Sequence, residues 1–295
     1  MSNEGIQTRS EHTCHGGRLG FYTHDSEETR CPMNFAVYEP PAAAAKKLPA
    51  LYYLAGLTCT EETFFIKAGA LGLAAELGLA LVACDTSPRG LGIPGEEESW
   101  DLGLGAGFYL DATEAPWAEH YRMASYINIE LPRVVETHFS ILPGRRGIFG
   151  HSMGGCGALA LALTHPNNWH SVSAFAPICN PIESPWGQKA FSNYLGPDRD
   201  AWLAWDPSAL MCRQSYSDLV LVDQGTADPF LKQQLRPEAL EAAAEIGGQK
   251  LRLRRQEGYD HSYWFVQSFI GDHLHHHANR LLATNWPPIS PPLLI

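Results

Sequence analysis

The pentapeptide GHSMG at 150–154 places a serine between two glycines in the G-x-S-x-G spacing. It follows a short apolar run at 147–149 and precedes an alanine- and leucine-rich stretch of helical character. A serine on a sharp turn between a strand and a helix presents its hydroxyl, and the flanking glycines let the two elements approach without Cβ clashes. The first amide of the helix can then donate to a developing oxyanion. The spacing predicts Ser152 as a nucleophile and the N–H of Met153 as an oxyanion donor.

A serine hydroxyl becomes an effective nucleophile only when a base takes its proton, so a histidine and an orienting carboxylate are needed. In chains with this turn they follow the serine in the order Asp, His. Among thirteen histidines, His261 lies between the last predicted strand and the last predicted helix, where the base is expected. Asp228, in the loop after the run 219–222, is predicted as the carboxylate, whereas Asp223 is expected to cap the turn.

The loop that follows the apolar run 50–54 is the expected source of a second oxyanion donor. Gly56 permits a close approach of the backbone, and the N–H of Leu57 is the candidate donor. Two amides directed at one tetrahedral oxygen would each contribute roughly 3 kcal/mol to the stabilisation of the transition state.

Apolar runs of strand length alternate with helical patterns from about residue 50 onward, which is typical of helices packed on both faces of a mostly parallel sheet. The sequence therefore predicts an α/β fold, in one domain spanning 1–295. Two short alternating runs at 19–22 and 34–38 predict an antiparallel hairpin at the sheet edge. The expected parallel strands are 50–54, 79–83, 147–149, 172–175, 219–222 and 251–255, and the expected helices are 63–77, 121–139, 154–164, 237–246 and 262–282.

Two segments, 85–120 and 180–214, fit neither a strand nor a helix pattern and are too long for simple connections. Their aromatic content argues against disorder, so we expect both to be long loops that cover the site. The proline-rich end at 287–295 is expected to be a tail. The histidines at 273–277 are expected to form a solvated helix face, because no matching carboxylates indicate a metal site.

Composition limits the function classes. The formal net charge of −11 argues against nucleic acid or an anionic membrane surface as a partner, and no apolar stretch has the length and continuity of a membrane span. Seven scattered cysteines without a C-x-x-C pair favour a reducing compartment. The first ten residues are polar and carry no secretory signal pattern. We therefore expect a cytoplasmic protein.

The chain resembles the S-formylglutathione hydrolase family, also called esterase D. The resemblance extends over nearly the whole length, because several separate stretches match in the same order. They are LAGLTCT at 54–60, DTSPRG at 85–90, GAGFYLDAT at 105–113, GHSMGG at 150–155, SVSAFAP at 171–177, PWGQKAF at 185–191, DQGTAD at 223–228 and GYDHSY at 258–263.

This resemblance implies a cytoplasmic α/β-hydrolase fold, without a cofactor, that is commonly a homodimer. It implies cleavage of S-formylglutathione to formate and glutathione, the closing step of glutathione-dependent formaldehyde oxidation. Mapped by motif, Ser152, Asp228 and His261 take the three catalytic roles. Cys59 is interpreted as a modulatory thiol, sensitive to thiol reagents, rather than as a nucleophile or an inert buried side chain.

The substrate suggests further residues. A formyl group is the smallest acyl unit, and Trp186 together with Tyr109 is expected to narrow the acyl pocket. Glutathione carries two carboxylates, which an acidic protein must bind through local cations. Lys67, Arg89 and Lys189 lie in or near the matching segments and are the candidates.

Three alternatives stay open at this stage. A broad short-chain carboxylesterase would use the same machinery, and an acyltransferase would replace water by an alcohol in deacylation. A binding protein without catalysis would belong to a different class. A fluorophosphonate probe would separate that last alternative from an enzyme, because it labels only an activated serine.

Overall fold

The computed structural model describes residues 5–283, and a nine-stranded sheet lies at its centre. In chain order the strands are β1 (Gln7–Cys14), β2 (Gly17–Ser26), β3 (Cys31–Glu39), β4 (Leu48–Leu54), β5 (Ala80–Cys84), β6 (Ile141–His151), β7 (Val172–Phe175), β8 (Val220–Gly225) and β9 (Leu251–Gln256). Their spatial order is β1-β2-β3-β5-β4-β6-β7-β8-β9. The β1-β2, β2-β3 and β3-β5 pairs are antiparallel, and the others are parallel.

The burial of each strand explains whether its apolar pattern predicts it from the sequence. Every residue of β4 and of β5 is buried, as expected for parallel strands covered by helices on both faces. The edge strand β1 is different, because its sequence QTRSEHTC is polar and its residues are largely exposed. The expected hairpin at 19–22 and 34–38 is therefore a three-stranded antiparallel unit, and β1 has no apolar alternation to predict it.

The helices lie between and after the strands. They are α1 (Glu61–Lys67), α2 (Leu71–Leu77), α3 (Met123–Ser125), α4 (Leu131–His138), α5 (Met153–Thr164), α6 (Pro185–Tyr194), α7 (Arg199–Trp202), α8 (Pro207–Arg213), α9 (Pro237–Gly247) and α10 (Tyr263–Leu281). The helix expected at 63–77 is divided into α1 and α2, because Gly69 adopts a left-handed φ of 66°. The helix expected at 121–139 contains a π-helical turn, Tyr126–Glu130, between α3 and α4.

The prediction of a long loop at 180–214 is wrong, because this segment forms α6, α7 and α8. The side chains of Ser184 and Asp206 accept backbone hydrogen bonds at the starts of α6 and α8, and a proline occupies the first turn of each helix. The segment 85–120 contains no helix or strand, as expected, and only isolated bridges order it. The expected tail at 287–295 lies outside the described residues.

Of the four histidines expected to form a solvated face on α10, only His275 is exposed, and His276 is partly buried. His273 and His277 are fully buried, and four residues apart they face the sheet together. His277 hydrogen-bonds with Ser173 and Ser171, and His273 with Ser173 and the Asp223 carboxylate. The expectation is therefore wrong for His273 and His277, because their side chains find polar partners beneath the helix. Within residues 5–283, no helix combines the length and apolar character that crossing a membrane requires.

Candidate active site

Ser152 lies at the turn where β6 ends and α5 begins, with φ 58° and ψ −120°. A left-handed φ is strained for a residue with a side chain. The turn is fixed by a hydrogen bond from the Ser152 amide to the Phe175 carbonyl, 2.9 Å long. A Cβ on Gly150 would lie 2.3 Å from the carbonyl oxygen of Gly154, and one on Gly154 would lie 2.0 Å from that of Leu54. Both glycines are therefore required for the close packing that holds Ser152 in place.

His261 and Asp228 are hydrogen-bonded, with 2.6 Å between His261 Nδ1 and Asp228 Oδ2. The Asp228 carboxylate is fully buried, and it also accepts from the Phe230 amide (2.8 Å) and from Gln224 Nε2 (3.2 Å). These donors satisfy the buried charge and fix its orientation. Asp228 can therefore hold the imidazole with Nε2 free to act as a base.

Asp223 occupies a separate site on the same strand end and does not cap the turn. Arg254 forms a bidentate ion pair with it, at 2.6 Å and 2.5 Å, and His273 donates from the helix side. Burial raises the pKa of this carboxyl, but the hydrogen bonds from His273 and Arg254 outweigh that effect and lower it. Asp223 is therefore an anchor between the sheet and α10.

His151, the residue before the serine, connects the two halves of the site. Its ring centroid lies 4.5 Å from that of His261, so the base packs directly against the turn that carries Ser152. Burial, followed by the nearby His261, lowers the pKa of His151 well below its ordinary value. His151 is therefore neutral. Among the described residues the Ser152 hydroxyl is not hydrogen-bonded to His261, and such bonds often tighten only when substrate binds.

The amides of Leu57 and Met153 are free to donate. Neither has a hydrogen-bond acceptor within residues 5–283. Met153 is the first residue of α5, where an N–H has no partner within the helix. The loop that carries Leu57 runs close to the serine, because a Cβ on Gly56 would lie 3.2 Å from the Ser152 Cβ. Two unsatisfied donors beside one hydroxyl can bind an oxyanion.

Tyr109 has a different place from the one expected, because only 1% of its surface is exposed. Its hydroxyl donates to the Ala55 carbonyl (2.9 Å), directly behind the loop that carries Leu57. Tyr109 therefore supports the donor loop and does not line an open pocket.

Arg89 also supports this loop. Its guanidinium donates to the Cys59 carbonyl (3.2 Å) and forms an ion pair with the buried Asp85 (2.6 Å). The charge expected to bind substrate is thus largely neutralised by a carboxylate of the protein. Sequence alone does not reveal this pair, although the two residues are four positions apart.

The two candidate lysines differ in whether a carboxylate of the protein neutralises their charge. Lys189 on α6 is paired with Asp101 and hydrogen-bonded to Ser99 at 2.5 Å. Lys67 is exposed at the end of α1, with its ammonium 5.8 Å from the centre of the Tyr263 ring. Within the described chain Lys67 has no carboxylate at ion-pair distance, so of these three cations it is the one available to an anionic ligand.

Cys59 is partly buried between α1 and the start of α10. Burial raises the pKa of its thiol, and the neighbouring Thr63, Lys67 and Tyr263 offset this only in part. The thiol is therefore protonated at neutral pH and is a poor nucleophile compared with a thiolate.

Phe230 is a site residue that the sequence analysis missed. Its ring packs edge-on to the His261 ring, with 5.1 Å between centroids, and its amide binds Asp228. Trp186 on α6 also packs against Phe230, with 4.8 Å between ring centroids and the two rings tilted by 53°. The available signal was the position of Phe230 two residues after the carboxylate, in the loop that the base must face.

Comparison with known proteins agrees with this geometry. Residues 26–276 match the Esterase family model, described as "Putative esterase". S-formylglutathione hydrolase from Mus musculus is 52% identical over 276 residues, which cover 93% of this chain and 98% of the mouse protein. The enzyme of the same name from Paracoccus denitrificans (strain Pd 1222) is 52% identical over 275 residues, again covering 93% of this chain and 98% of the relative.

A solved structure extends the likeness to three dimensions. The S-formylglutathione hydrolase from Agrobacterium tumefaciens superposes with a TM-score of 0.91 at 46% identity, covering 93% of this chain and 99% of the other. A ferulic acid esterase at 18% identity, with a TM-score of 0.67, shares the fold. The α/β-hydrolase fold, the site geometry and the identity of the relatives agree, and the chain belongs to the S-formylglutathione hydrolase family of esterases.

Proposed function

We propose that this protein is a serine hydrolase that cleaves the thioester S-formylglutathione to formate and glutathione. The observation that carries the proposal is the Asp228–His261 hydrogen bond of 2.6 Å beside a serine held in a strained turn. The relatives named S-formylglutathione hydrolase, at 52% identity over nearly their whole length, support the substrate.

In the acylation step, Ser152 Oγ attacks the thioester carbonyl while His261 Nε2 takes the hydroxyl proton. The carbonyl oxygen becomes an oxyanion, which the amides of Leu57 and Met153 stabilise. The tetrahedral intermediate collapses, the C–S bond breaks, and the sulfur leaves with the proton that His261 holds. A thiol has a pKa near 8.5, so this departure needs little help from a general acid.

In the deacylation step, water replaces glutathione. His261 takes a proton from the water as its oxygen attacks the formyl ester on Ser152. The second tetrahedral intermediate collapses, the C–O bond to the serine breaks, and His261 returns its proton to Ser152 as formic acid leaves and ionises to formate, releasing the other water proton to solvent. Asp228 stabilises the imidazolium in both steps and keeps the tautomer with a proton on Nδ1.

We also propose roles around the substrate. Trp186, behind Phe230, narrows the acyl pocket so that formyl thioesters are preferred. Lys67 attracts a carboxylate of glutathione, since its charge is not paired within the described chain. Arg89 and Lys189 hold neighbouring segments of the protein in place and do not bind the substrate directly, because each already pairs with a carboxylate of the chain. Cys59 modulates activity when thiol reagents react with it.

The proposed setting is formaldehyde detoxification in the cytoplasm, by a homodimer. Residues 5–283 include all seven cysteines, and none of them forms a disulfide, which suits a reducing compartment. The dimer is proposed on the family resemblance.

The test is the ratio of kcat/KM for S-formylglutathione to that for p-nitrophenyl acetate. We expect at least about 100-fold in favour of the thioester, equivalent to about 2.7 kcal/mol of additional transition-state stabilisation. A ratio near one would instead indicate a broad short-chain carboxylesterase. The Ser152→Ala variant is the blank for both substrates.

A further inference from the structure

A continuous row of aromatic rings runs from the base to the protein surface. It begins with His261 and Phe230 and continues through Trp186 to Trp100, whose ring stands edge-on to Trp186 at 5.5 Å. Trp186 is buried, but 55% of Trp100 is exposed. Trp100 belongs to the segment 85–120, so the outer end of this row comes from a different part of the chain than its inner members.

The position of Trp100 is fixed by its two neighbours. Ser99 and Asp101 are hydrogen-bonded to each other, and both accept from the Lys189 ammonium on α6. The same helix carries Trp186. An exposed tryptophan between two pinned residues loses little conformational entropy when a ligand packs on it, which suits a preformed binding surface.

The direction of the row indicates which part of a substrate it meets. His261 delivers a proton to the leaving group, so the leaving group departs on the side of the base. Phe230 packs against the base, and the row continues from it in ring-to-ring steps of 4.8 Å and 5.5 Å, past the buried Trp186, whose proposed role is at the acyl pocket, to Trp100 at the surface. An extended tripeptide spans on the order of 10 Å, which is about two of the three ring-to-ring steps that separate His261 from Trp100. The peptide part of a tripeptide thiol leaving at His261 therefore extends along the row toward the exposed face of Trp100.

We infer that Trp100 is a specificity-determining residue that packs against the peptide portion of the thiol leaving group. The inference rests on the proposed function and adds a contact to it. The exposed indole face offers an apolar and π surface to methylene groups and peptide planes, and it requires no charge from an acidic protein. It therefore discriminates substrates by the size of the leaving group rather than by the acyl group.

The experiment compares Trp100→Ala and Trp100→Phe with the wild type. For Trp100→Ala we expect kcat/KM for S-formylglutathione to fall about tenfold, equivalent to about 1.4 kcal/mol, mainly through KM. The fall for p-nitrophenyl acetate, whose leaving group is a single ring, should be about twofold or less. Trp100→Phe should recover much of the loss because it restores an aromatic face.

Trp264→Ala is the matched control, since Trp264 is 76% exposed at the start of α10 and lies outside the ring row. It should match the wild type on both substrates. Equal losses on both substrates in Trp100→Ala, or no loss on either, would overturn the inference. Failure of the wild type itself to hydrolyse S-formylglutathione would overturn the proposed function, so the two failures are distinguishable.

Discussion

Asp223 and Asp228 lie five positions apart, yet the structure gives them opposite partners. Asp228 binds the candidate base, whereas Asp223 binds Arg254 and the helix histidine His273. Both residues lie at or just after the end of the same strand. Only their three-dimensional contacts show that Asp228 orients the candidate base whereas Asp223 anchors a helix to the sheet.

Replacing each aspartate by asparagine should therefore produce different defects. Asp228→Asn should lower kcat by a factor of about 10⁴, because the amide favours the wrong tautomer of His261, while the unfolding midpoint in urea changes little. Asp223→Asn should destabilise the protein by about 3 kcal/mol, because it removes the buried negative charge that Arg254 and His273 bind and leaves Arg254 only its ion pair with Asp272. The folded fraction of Asp223→Asn should keep most of its kcat. Equal losses of kcat in the two variants would contradict these roles.

Trp186 offers a second test at the level of single residues. Removing its indole should enlarge the acyl side of the site, because the ring packs on Phe230, which itself contacts the base. Trp186→Ala should raise the ratio of kcat/KM for p-nitrophenyl butyrate over the acetate by about tenfold, since one or two extra methylenes contribute about 1–3 kcal/mol in an apolar pocket. An unchanged ratio would remove Trp186 from the acyl pocket.

At the level of elements, the sequence predicts those with strong apolar patterns. The buried strands β4 and β5, the helix after the serine and the final helix are all near their predicted positions. The edge strand β1 was not predictable from periodicity because both its faces are polar. The helices α6 and α8 were missed although a cap residue followed by proline marks each start.

The residues of the candidate site also divide into those that the sequence predicts and those that it does not. Positions in the chain order are enough to choose Asp228 and His261, which the structure brings together, although their catalytic roles stay a prediction. The substrate cations were harder to choose, because pairing depends on distant segments. Lys189 meets Asp101 across 88 positions, and no local pattern indicates such a contact.

The packing of α10 on the sheet should make the free energy of unfolding depend on pH. Burial lowers the pKa of His277 well below its ordinary value, so the unfolded chain binds a proton below about pH 6.5 that the folded chain does not bind. The free energy of unfolding should therefore fall as the pH falls from 7 to 5, with a contribution from this residue of up to about 1.4 kcal/mol per pH unit.

Urea unfolding of His277→Gln at several pH values measures that contribution. The variant should be less stable at pH 7 and should lose less stability than the wild type on acidification. His275→Gln is the control, because His275 is exposed on the same helix and should leave the slope unchanged. A slope for His277→Gln as steep as that of the wild type would contradict the buried neutral state.

At the level of the whole molecule, the charge sets conditions on assembly. Each chain has a formal net charge of −11, so the two subunits of the proposed homodimer repel each other electrostatically. Salt screens this repulsion, and the dissociation constant should therefore fall between about 0.01 M and 0.15 M salt. Sedimentation equilibrium should give twice the mass of the chain at the higher salt. A monomer at all concentrations and salt levels would contradict the dimer.

The most direct test of the central claim is covalent trapping of the nucleophile. The wild-type protein is treated with a fluorophosphonate probe, digested and mapped by mass spectrometry, with Asp228→Asn treated in parallel. The account predicts one adduct, on Ser152, that forms far more slowly in the variant because His261 is no longer oriented. An adduct on another residue such as Cys59, or an unlabelled protein that still hydrolyses S-formylglutathione, would contradict it.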